Sequence, residues 1–409
     1  MRHPLGTPGA PRRAVATSAS ISAPAAAPGT WVPTTGNLPA AAYWGQPDAA
    51  AVLLDVLDGK QHVLFAGGED GRRTALGDCA RYEIGSGTWT ATGPLWTSRR
   101  LHSVTKLKSG KVLVTGGITG PVSSPATGIG SAEIYDPGPG KWSPVASMHE
   151  PRYSHSATLL PDGKVLVAGG CAVRSPRSHR ALRSAEIYDP ATDQWTVIDP
   201  MTDTRFGHPA LRIKGDKVLM VGGIVTAGQS QYAPLAYCEL FDPVTRKWTP
   251  TGSLASPRKG HQATELSDGT VLVTGGDIPD VMNEWQVYPY SQWSCERYNP
   301  DTGTWAADTD LGWGISHHRA VRLSTGKVLV IGGTDDGTFD IGYTSVALYD
   351  PGPKTWVEAD GLTVGRWAGA AVALPGDKAL VAGGIVRSGA AAPTIGEDLL
   401  TATAEVFTL

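Results

Sequence analysis

A Gly-Gly pair recurs seven times in the 409-residue chain, starting at Gly67, Gly116, Gly169, Gly222, Gly275, Gly332 and Gly383. The spacings are 49, 53, 53, 53, 57 and 51 residues. One unit of about fifty residues cannot cover its own apolar faces, so copies must bury one another. Each pair ends a β-branched, aliphatic run such as "KVLVTGG", which reads as a buried strand. An Asp-Gly or similar turn joins it to a preceding strand, as in "LLPDGKVLV". A variable loop, the strand "AEIYDP", a Pro/Gly turn and a strand carrying one Trp follow. Each unit is therefore four antiparallel strands, a to d.

Four strands per unit, the Gly-Gly pair, the spaced Tyr and the Trp in repeated register resemble the kelch repeat, over residues 31–409. The expected fold is all-β: a seven-bladed kelch β-propeller with four antiparallel strands per blade. The repeat Trp residues stand at 31, 89, 142, 195, 248, 305 and 356, and the last Gly-Gly is followed by a c strand, "TAEVFTL", without a d strand. The strand around Trp31 should complete the last blade and leave no free sheet edge. Residues 1–29, rich in Ala, Pro and Ser, read as a disordered tail without a signal-peptide core, and residues 30–409 as one propeller.

Lys+Arg (35) nearly balances Asp+Glu (38), which argues against a nucleic-acid partner. No apolar run suggests a membrane span. We expect a monomer in a cytoplasmic setting, the latter from four cysteines read as reduced.

What every repeat shares is read as architecture, and what breaks the pattern as a candidate for function. Arg99, Arg152, Arg205, Arg258 and Arg366 stand before strand a, and Glu133, Glu186, Glu239, Glu296 and Glu405 near the start of strand c. Blade one has Asp48 and Ala80 at these slots, and blade six Ile315 and Ala347. Joint presence or absence predicts an intrablade ion pair. His102, His155, His208, His261 and His318 share a slot around a wide funnel, too spread for one metal ion, so no metal is assigned to them. Cys79, Cys238 and Cys295 fill a slot that is Ala elsewhere, and Cys171 opens a loop.

Of thirteen Trp, six lie outside the repeat slot: Trp44, Trp96, Trp285, Trp293, Trp313 and Trp367. All fall in d–a or b–c connections, which emerge on one face, so they form a candidate aromatic rim with Phe206 and Glu284. Two residues before the shared His, the chain varies: Arg100, Tyr153, Phe206, Lys259, Ser316 and Trp367. These should border the funnel. The b–c loops add a basic segment (171–183), an acidic and aromatic one (277–292) and an acidic one (334–344), where Asp335 and Asp336 read as a solvated loop rather than a cation site.

The expected function is binding of a small molecule or peptide in this aromatic, charged funnel. The alternative is an enzyme. Resemblance to the sialic-acid mutarotases of the kelch group, which need Arg, Glu and His on this face, implies an isomerase or lyase acting on an anionic small molecule. Arg100, Lys259, His317 and Glu284, with Tyr153 beside them, would serve in acid–base roles. The galactose oxidase branch of the family implies copper held by two Tyr and two His, with one Tyr crosslinked to Cys. Tyr153 and His155 are separated by Ser154 where that branch has Tyr and His adjacent, and no Cys–Tyr pair is placed. No cofactor is assigned.

Overall fold

The computed structural model describes residues 27–45, 51–120, 127–175, 178–226, 232–278, 290–335, 341–394 and 396–409. Seven four-stranded antiparallel sheets succeed one another along the chain. In the second blade, strands a to d are Ser103–Lys106, Val112–Thr115, Ala132–Asp136 and Lys141–Val145. Each a strand touches the a strands of both neighbouring blades, including blade seven against blade one, so the blades close a ring around an axis. The tail to residue 26 lies outside the described residues.

Burial along a blade explains residue choice. Strand b is covered on both faces by adjacent blades, so Val112–Thr115 is buried throughout. Strand d lies at the circumference, and in Lys141–Val145 only Trp142 is buried. Trp142 is the cross-strand partner of Tyr135, with ring centroids 5.0 Å apart. The same pair closes the ring: Thr30–Pro33 runs antiparallel to Ala404–Thr408, with Trp31 opposite Phe407 at 5.2 Å.

The Gly-Gly pair joins consecutive blades. Gly116 and Gly117 have φ of 60° and 107°, a region that favours glycine. Gly117 N–H donates to the Arg152 carbonyl of the next blade at 2.8 Å, and a Cβ on Gly116 would collide with that oxygen.

All five expected ion pairs form, with Arg Nη2 to Glu Oε1 distances of 2.7 Å (Arg99–Glu133), 2.9 Å (Arg152–Glu186), 3.0 Å (Arg205–Glu239), 2.6 Å (Arg258–Glu296) and 2.8 Å (Arg366–Glu405). Arg99 also donates to the Gly116 and Ser131 carbonyls, and Glu133 accepts the Trp96 and Thr97 amides. One pair thus ties the start of strand a to strands b and c. In blade one the slot that meets the preceding Gly-Gly is Ala42, whose carbonyl accepts Gly384 N–H at 2.8 Å. Asp48 lies outside the described residues. Counting from the His spacing misplaced this slot, because blade one carries extra residues before strand a.

The shared histidines rivet blades together. His102 Nε2 lies 3.1 Å from the Ala66 carbonyl, His155 Nε2 2.9 Å from Thr115 Oγ1, and His318 Nε2 2.8 Å from Thr274 Oγ1, each on the preceding blade. The four cysteines are buried and free, and burial pushes the Cys79 and Cys295 thiols up to about 12. Among the described residues no helix is long and apolar enough to cross a membrane.

Candidate functional site

The b–c connections leave one face of the ring and fold into short hairpins. Examples are Cys171–Ser175 with Ser178–Ala181, and Ile224–Thr226 with Tyr232–Pro234. The d–a connections run across the same face towards the axis. Just before strand a, Leu101, Ser154, His317 and Ala368 adopt φ of 50–52°, as Gly207 (61°) and Gly260 (64°) do with less strain. The left-handed residue turns the chain downward into strand a. Its amide reaches sideways: Ser154 N donates to Leu101 O, Gly207 N to Ser154 O, His317 N to Gly260 O and Ala368 N to His317 O, and in blade one Trp44 N, without the left-handed turn, donates to Ala368 O, at 2.8–2.9 Å. The result is a collar of backbone around the mouth.

Inside the collar lies a hollow of about 160 Å3, open to solvent. Phe206 and Ile224 form an apolar wall, while Lys259, His317, Arg319 and Gln262 form a polar one. His317 Nδ1 is 3.9 Å from Asp277 Oδ2, and Asp277 Oδ1 accepts Ser291 Oγ at 2.7 Å. Trp367 meets the His317 ring edge-on at 5.6 Å. Burial holds His317 below its usual pKa against the opposing pull of Asp277, and Lys259 and Arg319 push the same way as burial. Arg319 donates to the Gly369 and His318 carbonyls at 2.6 and 3.3 Å and to that of Trp44, which orients it from blade six across to blades seven and one.

The structure gathers Lys259, His317, Phe206 and Trp367 and sends the other sequence candidates elsewhere. Arg100 is buried and paired with Glu69 at 3.1 Å. The Tyr153 hydroxyl is 2.7 Å from His179 Nδ1, and burial beside the Cys171 thiol holds it far above the usual tyrosine range. Trp44 is 3% exposed and donates Nε1 to the Ala66 carbonyl at 3.1 Å, packing against Gly383 where the joints at Gly67, Gly116, Gly169, Gly222 and Gly275 have a histidine. Trp96, 72% exposed, lies at the circumference with Nε1 on the Trp142 carbonyl at 2.9 Å. Trp293 is exposed where a hairpin rejoins strand c, and Trp313 packs half-buried between blades five and six. Glu284 and Trp285 lie outside the described residues.

Sequence reasoning missed Gln262, Arg319 and Asp277. The signal was present: after the shared His the chain has Ser103, Ser156 and Pro209, then the larger Gln262 and Arg319.

A family model of the kelch motif matches residues 108–149 and 152–202. The chain is 25% identical over 275 residues to Kelch-like protein terF of Aspergillus terreus, covering 66% of this chain and 54% of that protein. It is 26% identical over 244 residues to human Kelch-like protein 23, covering 59% and 38% respectively. The chain thus spans about half or less of these curated relatives. Among solved structures it resembles a fungal alcohol oxidase of the AA5 family in complex with copper, with TM-score 0.68 and 18% identity over 93% of this chain and 76% of that one. It also resembles YjhT, with TM-score 0.59 and 16% identity over 79% and 99%. These identities establish the fold alone.

Among the described residues no three His, Cys, Asp or Glu side chains converge, and His102, His155, His208 and His318 already contact neighbouring blades. Repeat register, ring closure by the first strand and the motif match make this chain a seven-bladed β-propeller whose second and third blades match the kelch motif.

Proposed function

We propose that the face carrying the b–c and d–a connections binds a small molecule, or the end of a peptide, in the axial hollow. The observation that supports this is the hollow itself, where an apolar wall from blade four faces Lys259 and His317 from blades five and six. Such a mixed lining orients a ligand as well as burying it. A thermal-shift screen of metabolites and short peptides tests the reading. Hits should lose their shift in Phe206→Ala or Lys259→Ala and keep it in Trp96→Ala, on the outer edge. Hits that depend on Trp96 and ignore the hollow would count against it.

The enzyme alternative has one supporting observation, the His317–Asp277 approach beside Lys259. A half-buried imidazole with a carboxylate behind it has the layout of a general base whose orientation is held. On this alternative Arg100 and Tyr153 would contribute through the hairpins they anchor, since their polar ends are engaged by Glu69 and His179.

A further inference from the structure

We infer that the ligand of the hollow is a small organic carboxylate with an apolar or aromatic portion; this deepens, and rests on, the binding role proposed above. The charged side chains lining the hollow, Lys259 and Arg319, are both cationic. Asp277 sits behind His317 and holds a hydrogen bond to Ser291, so it is engaged by the protein instead of facing the hollow. Among the described residues Lys259 forms no ion pair, although it is only partly exposed. A partly buried lysine without an ion-pair partner gains a charge-assisted hydrogen bond when a carboxylate arrives.

The collar supplies a second donor. Five of its seven amides donate sideways to the preceding blade, while those of Leu101 and Gly260 do not. Of these two, only Gly260 lines the hollow, directly after Lys259 in the chain. Glycine at both Gly207 and Gly260 leaves this joint without Cβ atoms, and the His317 ring packs over Gly260. A carboxylate at this notch can take one hydrogen bond from the ammonium and one from the Gly260 amide.

The opposite wall sets the rest of the ligand. Phe206 and Ile224 are partners across a short β-bridge and offer apolar surface. Tyr232, 53% exposed, meets Phe206 edge-on at 5.7 Å and extends that surface outward. A purely polar anion, inorganic phosphate for example, would leave this wall uncovered.

Three probes that share a ring and differ in charge test the inference: benzoate, benzamide and benzylamine, titrated by ligand-observed NMR and calorimetry. Benzoate should bind the full-length protein about tenfold more tightly than benzamide, the scale of one charge-assisted hydrogen bond. In Lys259→Gln that preference should vanish while benzamide binding persists, which shows that the variant is folded. In Phe206→Ala both should weaken together. Inorganic phosphate should fail to displace benzoate. Benzamide or benzylamine binding the hollow at least as well as benzoate would overturn the carboxylate assignment and leave the hollow a binding site. Displacement by phosphate would overturn the apolar requirement. Absence of all three probes from the hollow would overturn both the inference and the reading beneath it.

Discussion

Arg99 shows how much one residue does in this ring. Its guanidinium is fully buried and holds Glu133, the Gly116 carbonyl and the Ser131 carbonyl at once. Removing one member of such a pair leaves a stranded charge and costs about 3–5 kcal/mol. We therefore expect Glu133→Ala to lower the free energy of urea unfolding by that amount. The double change Arg99→Ala, Glu133→Ala should cost less than the single one, as blades one and six, with Ala42–Ala80 and Ile315–Ala347, foreshadow. Equal or larger loss in the double variant would show that the arginine's backbone contacts matter more than its charge.

The buried histidines make a pH prediction. Burial lowers His102, His261 and His318 to about 3, and holds His155 and His208 well below the ordinary value. In the unfolded chain each titrates near 6.5. Above that pH they are neutral in both states and their contribution to stability is complete. Below it the unfolded chain takes up protons that the folded one refuses, so stability falls from about pH 6.5 towards 3, by up to about 1.4 kcal/mol per pH unit for each histidine. Unfolding curves between pH 7 and 5 should show this fall, and His102→Gln should make it shallower by about one proton. A flat profile would mean that these rings are charged in the folded state.

At the level of strands and connections, the repeating parts were legible because they follow from burial. A b strand clamped between two blades must be apolar throughout, a d strand needs one inward Trp, and the Gly-Gly bend needs φ values that favour glycine. Closure was legible for the same reason, since a Trp before the first repeat needs a partner and finds Phe407. Trp31→Ala should cost about 3–5 kcal/mol in thermal unfolding, because it removes the ring contact with Phe407 and the Nε1 hydrogen bond to the Asp360 carbonyl at 2.8 Å. A loss below 1 kcal/mol would mean that the first strand does not carry the closure. The radial position of the surplus tryptophans was not legible. A d–a connection begins at the circumference and ends at the axis, so its residues are ordered by radius. Trp96, soon after strand d, stays on the outside; Trp313 lies midway; Trp367, beside strand a, reaches His317. Identity alone does not reveal this order, whereas position within the connection does.

At the scale of the whole molecule, ring closure puts every left-handed turn before a strand a around one mouth. Repetition builds the collar, and departures from repetition furnish it: Gly207 and Gly260 thin it, Lys259 and Arg319 charge it, and His317 adds an imidazole. Arg100 and Tyr153 show the limit of reading such departures from sequence. Both are exceptions at the mouth, yet Glu69 and His179, brought in by b–c connections, engage their polar ends. If ligand binding belongs to this hollow, as we propose, a crystal structure of the protein soaked with benzoate should show ligand density between Phe206 and Lys259, under the edge of His317. Density confined to the opposite face, or to the outer edge beside Trp96, would contradict it.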